Sequence, residues 1–189
     1  MGMPALPTTG WTVQMLEALP DDGNRYEIID GELLVTPAPR RSHQRAVRRL
    51  LTLLDGYLRP REDIEVLASP ADIRVGERTS VQPDVFVAPI EEGQLATTWP
   101  EVRALLLAIE VLSPGTARVD RHQKRRLYQR EGVAEYWVVD LDSRLVERWR
   151  PGDERPEILT QTLEWKPAGI DRAFVVDLGK FFDEVGGAH

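Results

Sequence analysis

One carboxylate stands inside an apolar run, Leu105-Leu106-Leu107-Ala108-Ile109-Glu110-Val111-Leu112, and no other feature limits the fold of this chain as tightly. A charge in a buried strand is costly unless it meets a cation or a metal. Any fold open to the chain must therefore bring partners to Glu110. The run breaks at Ser113-Pro114-Gly115-Thr116, continues with helical spacing through Asp120, Lys124 and Tyr128, and closes on a second apolar run, Tyr136-Trp137-Val138-Val139-Asp140. By period this is a buried strand, a turn, an amphipathic helix and another buried strand.

The rest of the chain supplies the surroundings. Thr12 is placed to cap a short helix carrying Val13, Leu16 and Leu19 inward. Tyr26–Ile29 and Glu32–Val35 flank Asp30-Gly31, the strongest short-range hairpin signal. Ser42 is placed to cap a helix with the stripe Val47, Leu50, Leu51, Leu54 and Leu58. Strands are expected at Ile64–Leu67, Ala71–Val75 and Val81–Val87, with a polar loop over 91–101. The second run of the central stretch continues through a turn into Leu145–Arg150. Short strands near Ile158–Leu163 and Ala173–Val176 precede a final helix at Lys180–Val185. Strands in groups interrupted by helices make the chain α+β, one domain over residues 11–185 with flexible tails at 1–10 and 186–189.

Composition excludes several kinds of chemistry. Without cysteine there is no disulfide framework and no thiolate metal site, and three histidines argue against a histidine-rich zinc centre. No apolar run nears the roughly 20 residues that span a membrane. The opening Met1-Gly2-Met3-Pro4-Ala5 lacks the basic start of a secretion signal, so the expected location is the cytoplasm. A net charge of −7 argues against indiscriminate coating of nucleic acid. Yet arginines crowd two stretches, Arg40–Arg49 and Arg118–Arg130. Two readings stay open for them: solvated helix faces, or one face that meets a phosphate backbone.

Gln82-Pro83-Asp84-Val85 is the second unusual feature. Proline cannot donate to a sheet ladder, so Pro83 marks a strand start or an edge. Asp84, ahead of alternating Val85 and Val87, is expected in a half-buried strand. Alone, Pro-Asp reads as a turn. Beside Glu110 it reads as the second of two strand carboxylates, the oxygen ligands that hard divalent cations such as Mg²⁺ take together with water. Asp120, Lys124 and Tyr128 share one helix face, which either turns toward these carboxylates or makes an ordinary surface pair.

Together, Pro83-Asp84, Glu110-Val111-Leu112-Ser113-Pro114 and Asp120-x-x-x-Lys124-x-x-x-Tyr128 resemble the Uma-type restriction endonucleases, a bacterial domain family of unknown function. Tyr26-Glu27-Ile28-Ile29-Asp30-Gly31-Glu32-Leu33, His43 and Gly132-Val133-Ala134-Glu135-Tyr136-Trp137 fit the same pattern, so the likeness covers roughly residues 11–183. It implies a PD-(D/E)xK restriction-endonuclease-like core, a mixed β-sheet flanked by helices, and a hydrolase acting on phosphodiester bonds, most naturally those of DNA. It also implies Mg²⁺ or Mn²⁺ held by Asp84 and Glu110, with the Val111 carbonyl as a further ligand. Leu112 stands where the superfamily usually has its lysine, and Lys124 looks like the relocated one. On this likeness Asp84, Glu110 and Lys124 are catalytic, and Asp120 and Tyr128 fix the lysine. Glu27 and His43 stand at the edge of the site. Glu27 either adds a carboxylate or pairs with an arginine. His43 either touches phosphate or helps cap its helix. Arg41, Arg45, Arg121 and Arg125 are the expected nucleic-acid contacts. A methionine at Lys124 is expected to spare the fold. A homodimer is expected through a free edge at the Trp137–Trp149 hairpin. The alternative is a catalytically inert module that binds nucleic acid or protein.

Overall fold

Thr12 does cap a helix, its hydroxyl accepting from the Met15 amide at 3.4 Å in the computed structural model, which describes residues 9–90 and 105–187. That helix, α1 (Val13–Leu16), stops short of Leu19, because Ala18 and Leu19 donate back three residues and close the turn. Strands β1 (Arg25–Ile29) and β2 (Glu32–Thr36) form the expected hairpin, with Asp30 and Gly31 at φ 51° and 84°, as a tight two-residue turn requires. Helix α2 (Arg41–Leu58) follows. Ser42 lies inside it and caps nothing. The cap position belongs to Arg40, held extended after Pro39 at ψ 160°, and no side chain caps the helix.

Next come β3 (Ile64–Ala68), β4 (Ile73–Arg74), β5 (Ser80–Val81) and β6 (Val85–Pro89). The single strand expected over Val81–Val87 is thus two. Pro83 cannot continue a ladder, and at Gln82-Pro83-Asp84 the chain leaves one sheet for another. Asp84 occupies that corner rather than a strand.

The central stretch folds as read. Strands β7 (Leu107–Val111) and β8 (Glu135–Asp140) run parallel, with Glu110 opposite Val138. Their crossover is a π-helical segment, Val119–Lys124, continued by α3 (Arg125–Arg130). Then follow β9 (Leu145–Trp149), β10 (Glu157–Leu159), β11 (Thr162–Trp165), β12 (Phe174–Asp177) and α4 (Leu178–Gly186). The strand expected over Ile158–Leu163 is divided between β10 and β11, which belong to different sheets.

Three sheets result: six strands in the order β10-β9-β8-β7-β6-β3, four in the order β2-β1-β5-β4, and the pair β11-β12. The six-stranded sheet is mixed, since only β7 and β8 pair in parallel. One face packs α2, α4 and the small sheet around Leu54, Ile109, Trp137 and Phe174. The other packs α3 and the four-stranded sheet around Phe86, Ala108, Tyr128 and Val138. Because strand side chains alternate, Glu110 shares the second face with Ala108. The hairpin expected to offer a free edge does not, because β10 covers β9. The polar loop falls in 91–104 and most of the two tails in 1–8 and 188–189, outside the described residues. Among those described, no helix is long and apolar enough to cross a membrane.

The hairpin turn is exacting. Gly31 stands at φ 84°, a conformation that favours glycine, and a Cβ there would displace only the mobile end of the Arg78 side chain. Gly31→Ala should lower the unfolding free energy in urea by about 1–2 kcal/mol. Gly56→Ala, where a Cβ on exposed α2 meets nothing within 4 Å, should raise it by about 0.5–1 kcal/mol. Equal effects at the two positions would contradict this account.

Candidate active site

Strand β7 carries Glu110 to the face where the crossover returns, and the π-helical turn delivers its partner. The wide i+5 bond from the Arg125 amide to the Asp120 carbonyl sets Asp120 and Lys124 on the inner side. The Lys124 ammonium lies 2.8 Å from Glu110 Oε1, 2.8 Å from Glu27 Oε1 and 3.8 Å from Asp120 Oδ1. Tyr128, one turn on, donates its hydroxyl to the same Glu110 oxygen at 3.2 Å. Tyr136 donates to the Asp120 carbonyl at 3.0 Å, which ties the turn to β8. All of these side chains are buried. The lysine is thus a cation shared by three carboxylates, and Glu27 belongs to the cluster.

Asp84 stands next to it with a different set of partners. Its Oδ1 accepts from the Arg25 guanidinium at 2.8 Å; its Oδ2 accepts from the Val111 amide at 2.8 Å and meets His43 Nε2 at 3.0 Å. The contact Val111 makes here is through its N–H. Arg25 also lies 3.7 Å from Glu27, and the Gln82 amide donates to Glu27 at 2.7 Å, so the two groups interlock. Arg25 is absent from the sequence reading, although two residues from Glu27 on one strand it shares its face.

The two principal carboxylates are held in opposite electrostatic states. Burial pushes the Asp84 carboxyl up, but the hydrogen bond and charge of His43 and the charge of Arg25 outweigh it and hold the group at about 2. Burial drives Glu110 well above its usual range, and Asp84, Asp120 and Glu27 add to this against the pull of Lys124. Burial likewise lifts Asp120 to about 6, with Lys124 opposing. For Lys124, burial favours the neutral amine, yet Glu110, Glu27 and Asp120 overcome it and keep the ammonium.

Four carboxylates, Glu27, Asp84, Glu110 and Asp120, thus face two fixed cations, Arg25 and Lys124, and fully ionised they would outnumber those cations by two. That surplus, made of hard oxygen donors, suits a divalent ion such as Mg²⁺, which takes one or two carboxylates and fills its shell with water. Among the described residues, no group of three or more histidine, aspartate or glutamate side chains is arranged to hold a metal unaided. An ion on Asp84 and Glu110 would need water and substrate oxygens to complete its shell.

A cleft of ≈ 830 Å³ opens over this corner. Arg25, His43, Gln82, Asp84 and Thr116 line it, and Glu110 and Lys124 do not. Of the arginines expected to meet nucleic acid, three are used within the fold. Arg45 donates to the Val185 carbonyl at 3.2 Å, Arg121 pairs with Asp140 and Glu147 at 2.8 and 2.6 Å, and Arg125 lies over the Trp149 ring at 4.7 Å. Arg41 is exposed at the start of α2.

A family model described as Uma2, putative restriction endonuclease, matches residues 13–178. Among solved structures, the chain is similar to one described as a putative nuclease belonging to DUF820 from Anabaena variabilis, with 19% identity over 93% of this chain and 99% of that one, at a TM-score of 0.77. At that identity the likeness speaks for the fold, which is the α+β arrangement expected. No curated protein matches.

The contrast between the carboxylates can be measured without metal. Asp84→Asn removes a stabilising anion and should cost about 1.5–3 kcal/mol, whereas Glu110→Gln should leave stability unchanged or raise it. Lys124→Met leaves three carboxylates without their shared cation; contrary to the expectation that it spares the fold, it should cost about 3–5 kcal/mol. Equal losses for Asp84→Asn and Glu110→Gln in chemical denaturation would refute the asymmetry. An acid raised in the folded state loses stability as it ionises. The Asp120 contribution should therefore be fully present below 3.8 and fall as pH climbs to about 6. Asp120→Asn should flatten that fall in a series of melts, and an unchanged slope would remove Asp120 as its source.

Proposed function

The chain belongs to the Uma2 putative restriction endonuclease family, and from that premise we propose that it is a metal-dependent phosphodiester hydrolase, an endonuclease acting on DNA. The observation that carries the reading is the cluster of buried carboxylates beside an open cleft, with buried Asp84 among the residues that line the cleft. Mg²⁺ or Mn²⁺ would be held by Asp84 and Glu110, with the Val111 carbonyl as a further ligand. Such an ion supplies polarisation of the phosphate and a water of lowered pKa.

The chain's own residues supply position. The Val111 amide and Arg25 fix both oxygens of Asp84, while Lys124 and Tyr128 hold one oxygen of Glu110. Lys124, 1% exposed and in contact with Glu110 and Glu27, acts as a positioning residue. From that place it orders carboxylates and not substrate. Arg25 lies between cleft and cluster, where its charge offsets negative charge brought in by a phosphate.

A second reading has one observation in its favour. Glu110 and Lys124 do not line the cleft, as would suit a nuclease-like module that binds nucleic acid or protein without cutting. Incubating plasmid and linear DNA with the protein in Mg²⁺ or Mn²⁺ separates the two. The enzyme reading expects cleavage that stops on chelation and falls at least about a hundredfold in Asp84→Asn. DNA bound but uncut by the wild type in either ion would leave the inert module.

A further inference from the structure

The cleft is not a basic channel. Of its three arginines, Arg25 is paired with Asp84 and Arg74 with Glu17, at 2.8 and 2.7 Å, and the remaining Arg40 is outnumbered by Asp21 and Asp72. A duplex carries one negative charge for about every 1.7 Å of its axis and is held by a run of cations along its phosphates. Among the described residues, no such run lines this cleft. Its volume, ≈ 830 Å³, lies in the range of roughly 300–1,000 Å³ that encloses a small ligand. Asp84 within it is only 3% exposed, so a phosphate must come down into the cleft to reach it. A flexible single strand can do this and a stiff helix cannot.

What the cleft does offer is what a base needs, a ring to stack on and an amide to pair with. Tyr26 lines it together with Leu19, Pro20, Pro37 and Pro39. The ring is held in place, since β1 carries Tyr26 opposite Val35 and its hydroxyl donates to Asp22 at 2.8 Å. A ring already fixed gives up little freedom when a base stacks on it. Gln82 lines the cleft too, two residues before Asp84. Its backbone N–H donates to Glu27 at 2.7 Å, and its carbonyl accepts from Arg25 and from the Ser69 hydroxyl at 3.2 Å each. Its side-chain nitrogen donates to Asp72 at 2.9 Å. A carboxylate only accepts, so this bond also settles which way the amide is turned. The carbonyl oxygen and second N–H of that amide take no partner among the described residues. A carboxamide with one free donor and one free acceptor pairs with the edge of a base. In a closed duplex the pairing edges are occupied; in an unpaired base they are open.

We propose that Tyr26 and Gln82 form a base subsite in the cleft. Tyr26 stacks against one unpaired base, Gln82 pairs with its edge, and the adjoining phosphodiester lies at Asp84. The substrate is then single-stranded or locally unpaired DNA, and closed duplex is a poor one. That the bound strand is cut rests on the nuclease reading, whereas recognition of the base rests on Tyr26 and Gln82. The subsite also accounts for the arginines. A strand held through its bases needs few phosphate contacts, which leaves Arg45, Arg121 and Arg125 to serve the fold.

The test uses the full chain. Without metal, anisotropy follows the binding of a single-stranded DNA oligonucleotide, its blunt duplex, and an abasic strand of equal length that keeps the phosphates and lacks the bases. The wild type should bind the single strand at least about tenfold more tightly than either of the others. Tyr26→Ala should lose about tenfold or more on the single strand and nothing on the abasic one, while Tyr26→Phe should keep wild-type affinity. Tyr26→Leu keeps the apolar bulk without the ring, should lose as much, and serves if the alanine variant does not fold. Gln82→Met leaves the backbone contacts in place and should lose about fivefold or more on the single strand. In Mg²⁺ or Mn²⁺, the single strand and a duplex with an unpaired bubble should be cut, and the closed duplex should not. Single-strand binding that depends on Tyr26, with no cutting in either ion, would keep the subsite and overturn the nuclease reading. Closed duplex cut as fast as single strand would overturn the substrate assignment and leave the nuclease reading standing. Equal affinity for abasic and base-bearing strands, or wild-type affinity in Tyr26→Leu and Gln82→Met, would overturn the subsite.

Discussion

One buried ammonium holds this molecule's site in register. Lys124 reaches from the crossover to Glu110 on the central sheet and to Glu27 on the N-terminal hairpin, 2.8 Å from each. A single charge thus links three separate parts of the chain. Both glutamates are buried and would be costly alone, so the sheet, the hairpin and the π-helical turn are stable together or not at all. The turn is the device that makes this possible. Its widened backbone brings Asp120 and Lys124 to the inner side, and Tyr136 and Tyr128 anchor it at both ends.

That link divides the carboxylates into two kinds. Asp84 is satisfied on both oxygens and ionised well into acid; Glu110 and Asp120 are crowded by their own kind and pushed toward holding protons. Such divergence between neighbouring acids is a feature of sites that do chemistry. It also means that the carboxyls inclined to hold protons do not line the cleft, while the ionised Asp84 does. An arriving divalent ion would be attracted by the whole cluster and meet Asp84 first.

Much of this was legible in the chain. A carboxylate within an apolar strand had to find a cation, and the i, i+4, i+8 set of Asp120, Lys124 and Tyr128 lay on the nearest helix to supply it. The Asp-Gly turn and the apolar strands followed from local rules. What the sequence hid were effects of tertiary packing. Pro83 was readable as a break, but not as the corner between two sheets, which depends on what β5 and β6 pair with. The arginine clusters look alike by spacing, yet Arg45 turns to a carbonyl 140 residues away and Arg121 to two carboxylates 19 and 26 residues away. Ser42 had the right chemistry for a cap and lost the position to Arg40, because the chain after Pro39 stays extended for one residue only. Arg25 was overlooked for want of a motif, and only its contact with Asp84 gives it meaning.

The central claim is that crowding and burial leave Glu110 and Asp120 inclined to hold protons, which a divalent ion bound at the proposed site would displace. Calorimetric titration of Mn²⁺ at pH 6, in buffers that differ in ionisation enthalpy, measures this directly. The account predicts release of roughly one proton for each ion bound, drawn from Glu110 and Asp120, with release fading as the pH is raised and affinity increases. Mn²⁺ binding with no proton release, at an affinity independent of pH, would contradict it.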